Sequence, residues 1–275
     1  MISKYRLSHK DFGGDGSAGS IVFIHGWGVS SSVWQEQAAY FSNRFRVVTI
    51  DLPGHGESEP LDGTKNSITQ CAELMMETIL ELGLERVTLA GWSLGAEVAA
   101  KGLLLSGDVD LRSLVLVGGT PCYVAPNDDD DWGMPTVKAK YFKRQLGRDF
   151  RAALSVFIHT FFDAEKNLSL GRVEQIGSLF FDKTFPPDEK SALELLDSLY
   201  EDDMRSMLSE KRPDLPVFVC HGDRDMIVPC GAVKEWNRLI PGIKKEIFSD
   251  CGHAPFLSRP QEFRKSMENF LSEIG

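Results

Sequence analysis

An alternation narrows the possible folds more than any other feature of this chain. Short apolar runs at Ile21–Ile24, Val47–Ile50, Val87–Ala90 and Leu114–Val117 are separated by stretches of helical character. Trp34 to Phe41 reads as a helix. Ile68, Cys71, Ala72, Met75, Ile79 and Leu82 recur at helical spacing, and Gly83 stops that run. Leu94 to Leu105 reads as a third helix. Strands that are apolar throughout are covered on both faces, so the pattern predicts a parallel sheet with helices on each side. Val217–Cys220 and Glu246–Phe248 add strands later. Gln261 to Glu273 closes the chain as an amphipathic helix with Phe263, Met267, Phe270 and Leu271 facing inward.

From about Cys122 to Pro187 the alternation stops. An acidic stretch, Asp128 to Asp131, reads as a solvated loop, and basic and aromatic helical segments follow it. The expected organisation is an α/β core made of residues 1–121 and 188–275, interrupted by a helical lid insertion over 122–187. The length of 275 residues is enough for one such core.

Charge and composition remove several function classes. A formal net charge of -10 argues against non-specific binding of nucleic-acid phosphates. The N-terminus, MISKYRLSHKDF, lacks the apolar core of a signal peptide, and no apolar stretch of about 18 residues is present. We therefore expect a cytoplasmic protein with no membrane partner, and a monomer. The five cysteines, Cys71, Cys122, Cys220, Cys230 and Cys251, are odd in number and lack metal-ligand spacing. They read as reduced thiols, with no metal and no cofactor expected.

Gly91-Trp92-Ser93-Leu94-Gly95 fits G-x-S-x-G, and its context makes it specific. It follows a strand directly and opens a helix, as a nucleophile elbow requires. The turn is tight, the flanking glycines have no side chains to clash across it, and Ser93 Oγ is pushed out at the carboxyl end of the sheet. The Leu94 N–H sits at a helix N-terminus, where free donors and the helix dipole favour an anion. The second donor of an oxyanion hole should come from the loop His25-Gly26-Trp27-Gly28, and Trp27 N–H is the candidate.

The acid and the base should follow the serine in that order. His159 lies in the insertion and His221 ends a strand. His253, in Cys251-Gly252-His253-Ala254-Pro255-Phe256 just past the last strand, is the candidate base. Asp223 and Asp225 both follow the Val217–Cys220 strand. Asp225 is the candidate acid, and Asp223 reads as a turn-former pairing with backbone or with Arg224. His25, His55 and Asp51 read as structural, the aspartate capping local backbone groups.

These segments, together with Asp51-Leu52-Pro53-Gly54-His55-Gly56, resemble α/β-hydrolases throughout the core. Within that superfamily the chain is most similar to the pimeloyl-[acyl-carrier protein] methyl ester esterases of biotin synthesis. The similarity rests on Trp27, on Trp92-Ser93-Leu94, and on His253-Ala254-Pro255-Phe256. Thr120-Pro121-Cys122-Tyr123 and Leu195 to Leu208 also look similar. The resemblance implies the α/β-hydrolase fold, a serine esterase with a Ser93–Asp225–His253 triad, and a methyl ester substrate carried on acyl-carrier protein. It also implies Trp27, Trp92, Leu94 and Phe157 as substrate contacts. The arginines by which that family's lid docks the carrier protein are not well matched, since aligned positions such as Ala152 and Val156 are uncharged. Lys140, Arg144, Arg148 and Arg151 lie slightly earlier, at spacings that share one face of a single helix. Phe157, Phe161 and Phe162 would line an acyl tunnel or fill the lid core. A broad carboxylesterase, a peroxidase-like use of the triad and a non-catalytic ligand receptor are the competing readings.

Overall fold

The computed structural model describes residues 5–105, 107–127, 130–211 and 213–275. Seven strands form one sheet: β1 (His9–Asp11), β2 (Ser20–Ile24), β3 (Arg46–Ile50), β4 (Val87–Trp92), β5 (Leu111–Val117), β6 (Val217–Gly222) and β7 (Lys244–Phe248). Their spatial order is β1-β3-β2-β4-β5-β6-β7. Within this sheet β1 runs antiparallel to β3, and the other neighbouring pairs are parallel. The strand residues of β2 and β4 are all buried, as the unbroken apolar runs require.

Between β2 and β5 lie α1 (Gln35–Phe41), α2 (Ile68–Glu81) and α3 (Leu94–Leu104). Ser67 caps α2 by accepting the Gln70 N–H, and Gly83 follows it at φ +59. Between β5 and β6 lie α4 (Thr136–Leu146), α5 (Phe150–His159), α6 (Leu170–Phe180), α7 (Glu189–Glu201) and α8 (Arg205–Glu210). After β6 come α9 (Ala232–Leu239), α10 (Pro255–Ser258) and α11 (Pro260–Glu273). Phe263, Met267, Phe270 and Leu271 of α11 are buried, and Trp34 stacks on Phe256 with ring centroids 3.8 Å apart.

The chain leaves β2 for β3 on one side, then crosses back to place β4 on the other. Loops leaving the carboxyl ends of β2 and β4 therefore diverge and open a crevice, the place where ligands bind in open α/β sheets. Ile24 pairs in register with Gly91, so the loops after both strands start at the same height.

Two sequence expectations change here. The edge strand β1 is absent from the sequence reading because His-Lys-Asp carries no apolar period. Tertiary pairing makes it a strand, and Arg46 of β3 pairs with its Asp11 at 3.0 Å. The basic residues Lys140, Arg144, Arg148 and Arg151 do not share one helix. Gly147 caps α4, and Asp149 starts α5 by accepting the Ala152 N–H at 3.0 Å. Lys140 and Arg144 lie on α4, Arg148 on the connection and Arg151 on α5, all exposed. The stop signal Gly147 and the start signal Asp149 were both visible in the sequence. Of the acidic stretch, Asp128 and Asp129 lie outside the described residues, while Asp131 pairs with Lys234 at 3.4 Å. Among the described residues, no helix is long and apolar enough to cross a membrane.

Candidate active site

The turn from β4 into α3 places Ser93 at φ +54, ψ -121, a left-handed conformation costly for a residue with a Cβ. Strain of this kind costs about 1–3 kcal/mol and persists only where the surroundings enforce it. Here they do. The Ser93 N–H donates to Val117 O at 2.9 Å, tying the turn to the end of β5. Gly95 must be glycine, because a Cβ there would lie 2.4 Å from Ile24 O. That close approach draws α3 against the end of β2. Ser93 itself is buried with a small exposed fraction of 8%.

The loop after β2 passes directly over the serine. A Cβ on Gly26 would stand 3.3 Å from Ser93 Cβ and 3.0 Å from the Trp92 ring. His25 holds this loop. Its Nδ1–H donates to Gly26 O at 2.7 Å and its Nε2 accepts the Leu52 N–H at 2.9 Å. Both ring nitrogens are used, so His25 is a bracket between two loops. Burial lowers its pKa against the opposing pull of Asp51. His55 donates from Nδ1 to Pro53 O, and burial, then nearby His25, takes its pKa down to about 3. Asp51 accepts the N–H groups of Ser31 and Glu57 at 2.7 and 3.0 Å, which is local capping.

The Trp27 indole is held through both its N–H and its ring. Nε1 donates to Ala192 O on α7 at 2.7 Å, and the ring meets Phe142, Phe150 and Phe157 edge-on. Leu94 opens α3, and the first N–H groups of a helix have no acceptor within it.

Asp225 and His253 meet at the other wall. Asp225 Oδ1 accepts the N–H groups of Ile227 and Val228 at 2.8 and 2.9 Å. Oδ2 receives His253 Nδ1–H at 2.7 Å. Burial alone would raise this carboxyl. The charge of His253 and hydrogen bonds from His221 and His253 outweigh it and hold the pKa below the usual carboxylate range. With Nδ1 donating to a carboxylate, His253 Nε2 carries the lone pair. Among the described residues that atom is buried without a hydrogen-bond partner. A Cβ on Gly118 would stand 3.3 Å from His253 Cε1, and Gly118 follows the Val117 that holds Ser93. Serine and histidine thus converge on the end of β5.

Trp92 lies beneath the histidine, fully buried. Nε1 donates to His253 O at 2.9 Å, and its ring contacts those of His253 and Phe161 at 5.4 Å each. This placement makes it a support for His253, with its one donor already used. Phe157 is half-buried and stands between the Trp27 and Phe161 rings, at 5.6 and 5.0 Å. It also lines a groove of about 390 Å³ with Tyr141, Arg148 and Val156.

Asp223 accepts the Cys251 N–H at 3.2 Å and so clips the loop that carries His253. Arg224 pairs instead with Asp250 at 2.9 Å. One neighbour of Asp225 escaped the sequence reading. His221 Nε2–H donates to Val228 O at 2.9 Å and lies 3.2 Å from Asp225 Oδ2. Its position at the end of a buried strand carried no signal that its ring turns toward the acid.

The comparisons with known proteins bear on the family and the fold. A model of the alpha/beta hydrolase family matches residues 21–265. The pimeloyl-[acyl-carrier protein] methyl ester esterase of Nitrosomonas europaea is 32% identical over 248 residues, covering 90% of this chain and 94% of the relative. The protein of the same name from Photobacterium profundum is 30% identical, covering 94% and 96%. Among solved structures, a bromoperoxidase from Bacillus anthracis superposes with a TM-score of 0.86 at 24% identity, over 97% of this chain and 95% of that one. That likeness speaks for the fold. The family match over most of the chain, together with the seven-stranded sheet, makes this chain a member of the alpha/beta hydrolase family.

Proposed function

We propose that this chain is a serine carboxylic ester hydrolase that converts pimeloyl-[acyl-carrier protein] methyl ester to pimeloyl-[acyl-carrier protein] and methanol. The observation that carries the chemistry is the 2.7 Å bond from His253 Nδ1 to Asp225 with His253 Nε2 left free. Relatives about a third identical over nearly their whole length carry the name of that substrate.

Ser93 Oγ attacks the ester carbonyl while His253 Nε2 takes its proton. The N–H groups of Leu94 and Trp27 hold the resulting oxyanion. Collapse expels methoxide, which leaves as methanol with the proton from Nε2. A water molecule, deprotonated by the same nitrogen, then attacks the acyl-serine and releases the acid. Asp225 keeps the imidazole in the required tautomer and stabilises its charged form. The helices of residues 122–187 act as a lid over the acyl chain, with Phe157 and the aliphatic edge of Leu94 touching it. Lys140, Arg144, Arg148 and Arg151 line the rim that receives the acidic carrier protein.

Two measurements test this. Methanol release from the carrier-bound ester should fall by about 10⁴–10⁶-fold in Ser93→Ala, with the fold retained by circular dichroism. A fluorophosphonate should label the wild type at Ser93. Hydrolysis of short p-nitrophenyl esters with none of the carrier-bound ester would instead favour a broad carboxylesterase.

A further inference from the structure

The loop that carries His253 is held from above as well as from the sheet. The chain leaves α5 through the turn Phe161 to Asn167, which lies on Asp250 to His253. The His253 N–H donates to Phe161 O at 2.9 Å. The preceding Gly252 N–H donates to Glu165 Oε1 at 2.8 Å. Arg224 reaches Ala164 O at 3.1 Å, and the Asn167 side chain bonds Asp250. Gly252 suits this contact alone, since a Cβ there would lie 2.1 Å from Phe161 O.

Glu165 is the unusual member. Its side chain is fully covered, and a buried carboxylate is costly unless its oxygens are satisfied. Oε1 takes the Gly252 amide, and Oε2 faces Arg259 at 3.5 Å. Arg259 in turn donates to Asp250 O at 2.6 Å, closing a ring around the loop. Phe161 adds a ring contact to the imidazole at 5.2 Å. Two successive amides of the base's loop therefore end on the segment after α5.

We propose that Glu165 is a positioning residue for the catalytic base: through the Gly252 amide it couples the helical segment between β5 and β6 to the imidazole of His253. The proposal rests on His253 being the base. Movement of that segment, for instance as substrate seats on it, is then transmitted to Nε2, and a cover over the site also sets the competence of the site. Asp225 fixes the ring's tautomer from one side. Glu165 and Phe161 fix the height of its backbone from the other.

The test compares three substitutions on the full chain. Glu165→Ala removes the acceptor, Glu165→Asp withdraws it by one methylene while keeping the charge, and Glu165→Gln keeps an oxygen for the Gly252 amide. Each is measured for p-nitrophenyl ester turnover, rate of fluorophosphonate labelling and melting temperature. We expect Ala and Asp to lower kcat and labelling rate together by about 10–100-fold at unchanged KM, the loss typical of a base displaced by about an ångström. Gln should restore most of both. If Ala fails to fold, the Asp and Gln pair carries the comparison. Wild-type rates in Ala and Asp, or a Gln variant as slow as Asp, would overturn the proposal. Wild-type labelling at Ser93 that His253→Ala abolishes establishes the base beforehand. Its failure would overturn the triad reading and this proposal together, whereas success there with unaltered Glu165 variants would sink this proposal alone.

Discussion

At the scale of single residues, Asp225 differs from Asp223 in what its oxygens hold. Asp225 takes two backbone amides on Oδ1 and His253 with His221 on Oδ2. Asp223 holds one amide of the base's loop. Asp225→Asn leaves the shape in place but offers an amide where the imidazole needs a carboxylate, so activity should fall by about 10³-fold or more. Asp223→Asn keeps an acceptor for the Cys251 N–H and should lose far less. Turnover of one chromogenic ester by the two variants checks this, and the reverse ranking would exchange their roles. The choice between these aspartates could be argued from chain order but not decided by it, because both follow the same strand by a few residues. The turn geometry that aims one carboxylate at His253 exists only in the folded loop.

At the scale of elements, the break between α4 and α5 changes how the basic residues are presented. On one helix they would form a straight stripe. Split at Gly147 and Asp149, they lose that alignment: Arg148 lines the groove with Tyr141 and Phe157, and Arg144 lies over the Tyr141 ring at 5.5 Å. Charges on a rim act mainly on association rate and its salt dependence. Replacing Arg144 and Arg148 by Glu should lower kcat/KM for a carrier-bound ester and flatten its dependence on salt. A small p-nitrophenyl ester should be hydrolysed nearly as before, because Ser93 and His253 lie at the sheet, away from these side chains. Equal loss on both substrates would indicate a disturbed helix pair, and no loss on either would remove these residues from partner binding.

At the scale of the whole molecule, two buried histidines tie stability to pH. His25 and His55 are neutral in the folded chain, with burial lowering both and taking His55 down to about 3. Unfolded, each takes a proton near the usual value of about 6.5. Below that pH the unfolded state binds more protons than the folded one, so stability falls as pH falls. The stabilisation is fully present above about 6.5 and drains away toward the folded value. Melting temperatures followed from pH 8 to pH 4 should decline, and His55→Gln should make the decline shallower. A slope identical in the variant would show that His55 does not carry it.

Local chemistry written in the chain determined most of the sheet and the turn that carries Ser93. Unbroken apolar runs specify buried strands whatever their neighbours, and Gly91-Trp92-Ser93-Leu94-Gly95 specifies a turn that few other residues could make. Chain order was enough to nominate His253 and Trp27. The strand β1 depended on a partner, because three polar residues become a strand only when β3 offers its free edge. Trp92, expected to touch substrate, is turned under His253 by a hydrogen bond 161 residues away in the chain. His221 on the acid and Glu165 on the loop of the base were equally invisible, since each acts through a contact across sequence distance. Periodicity and turn chemistry report what a segment does with itself. Which buried polar group satisfies which is settled only when the segments meet, because the cost of leaving such a group unpaired is then what selects the arrangement.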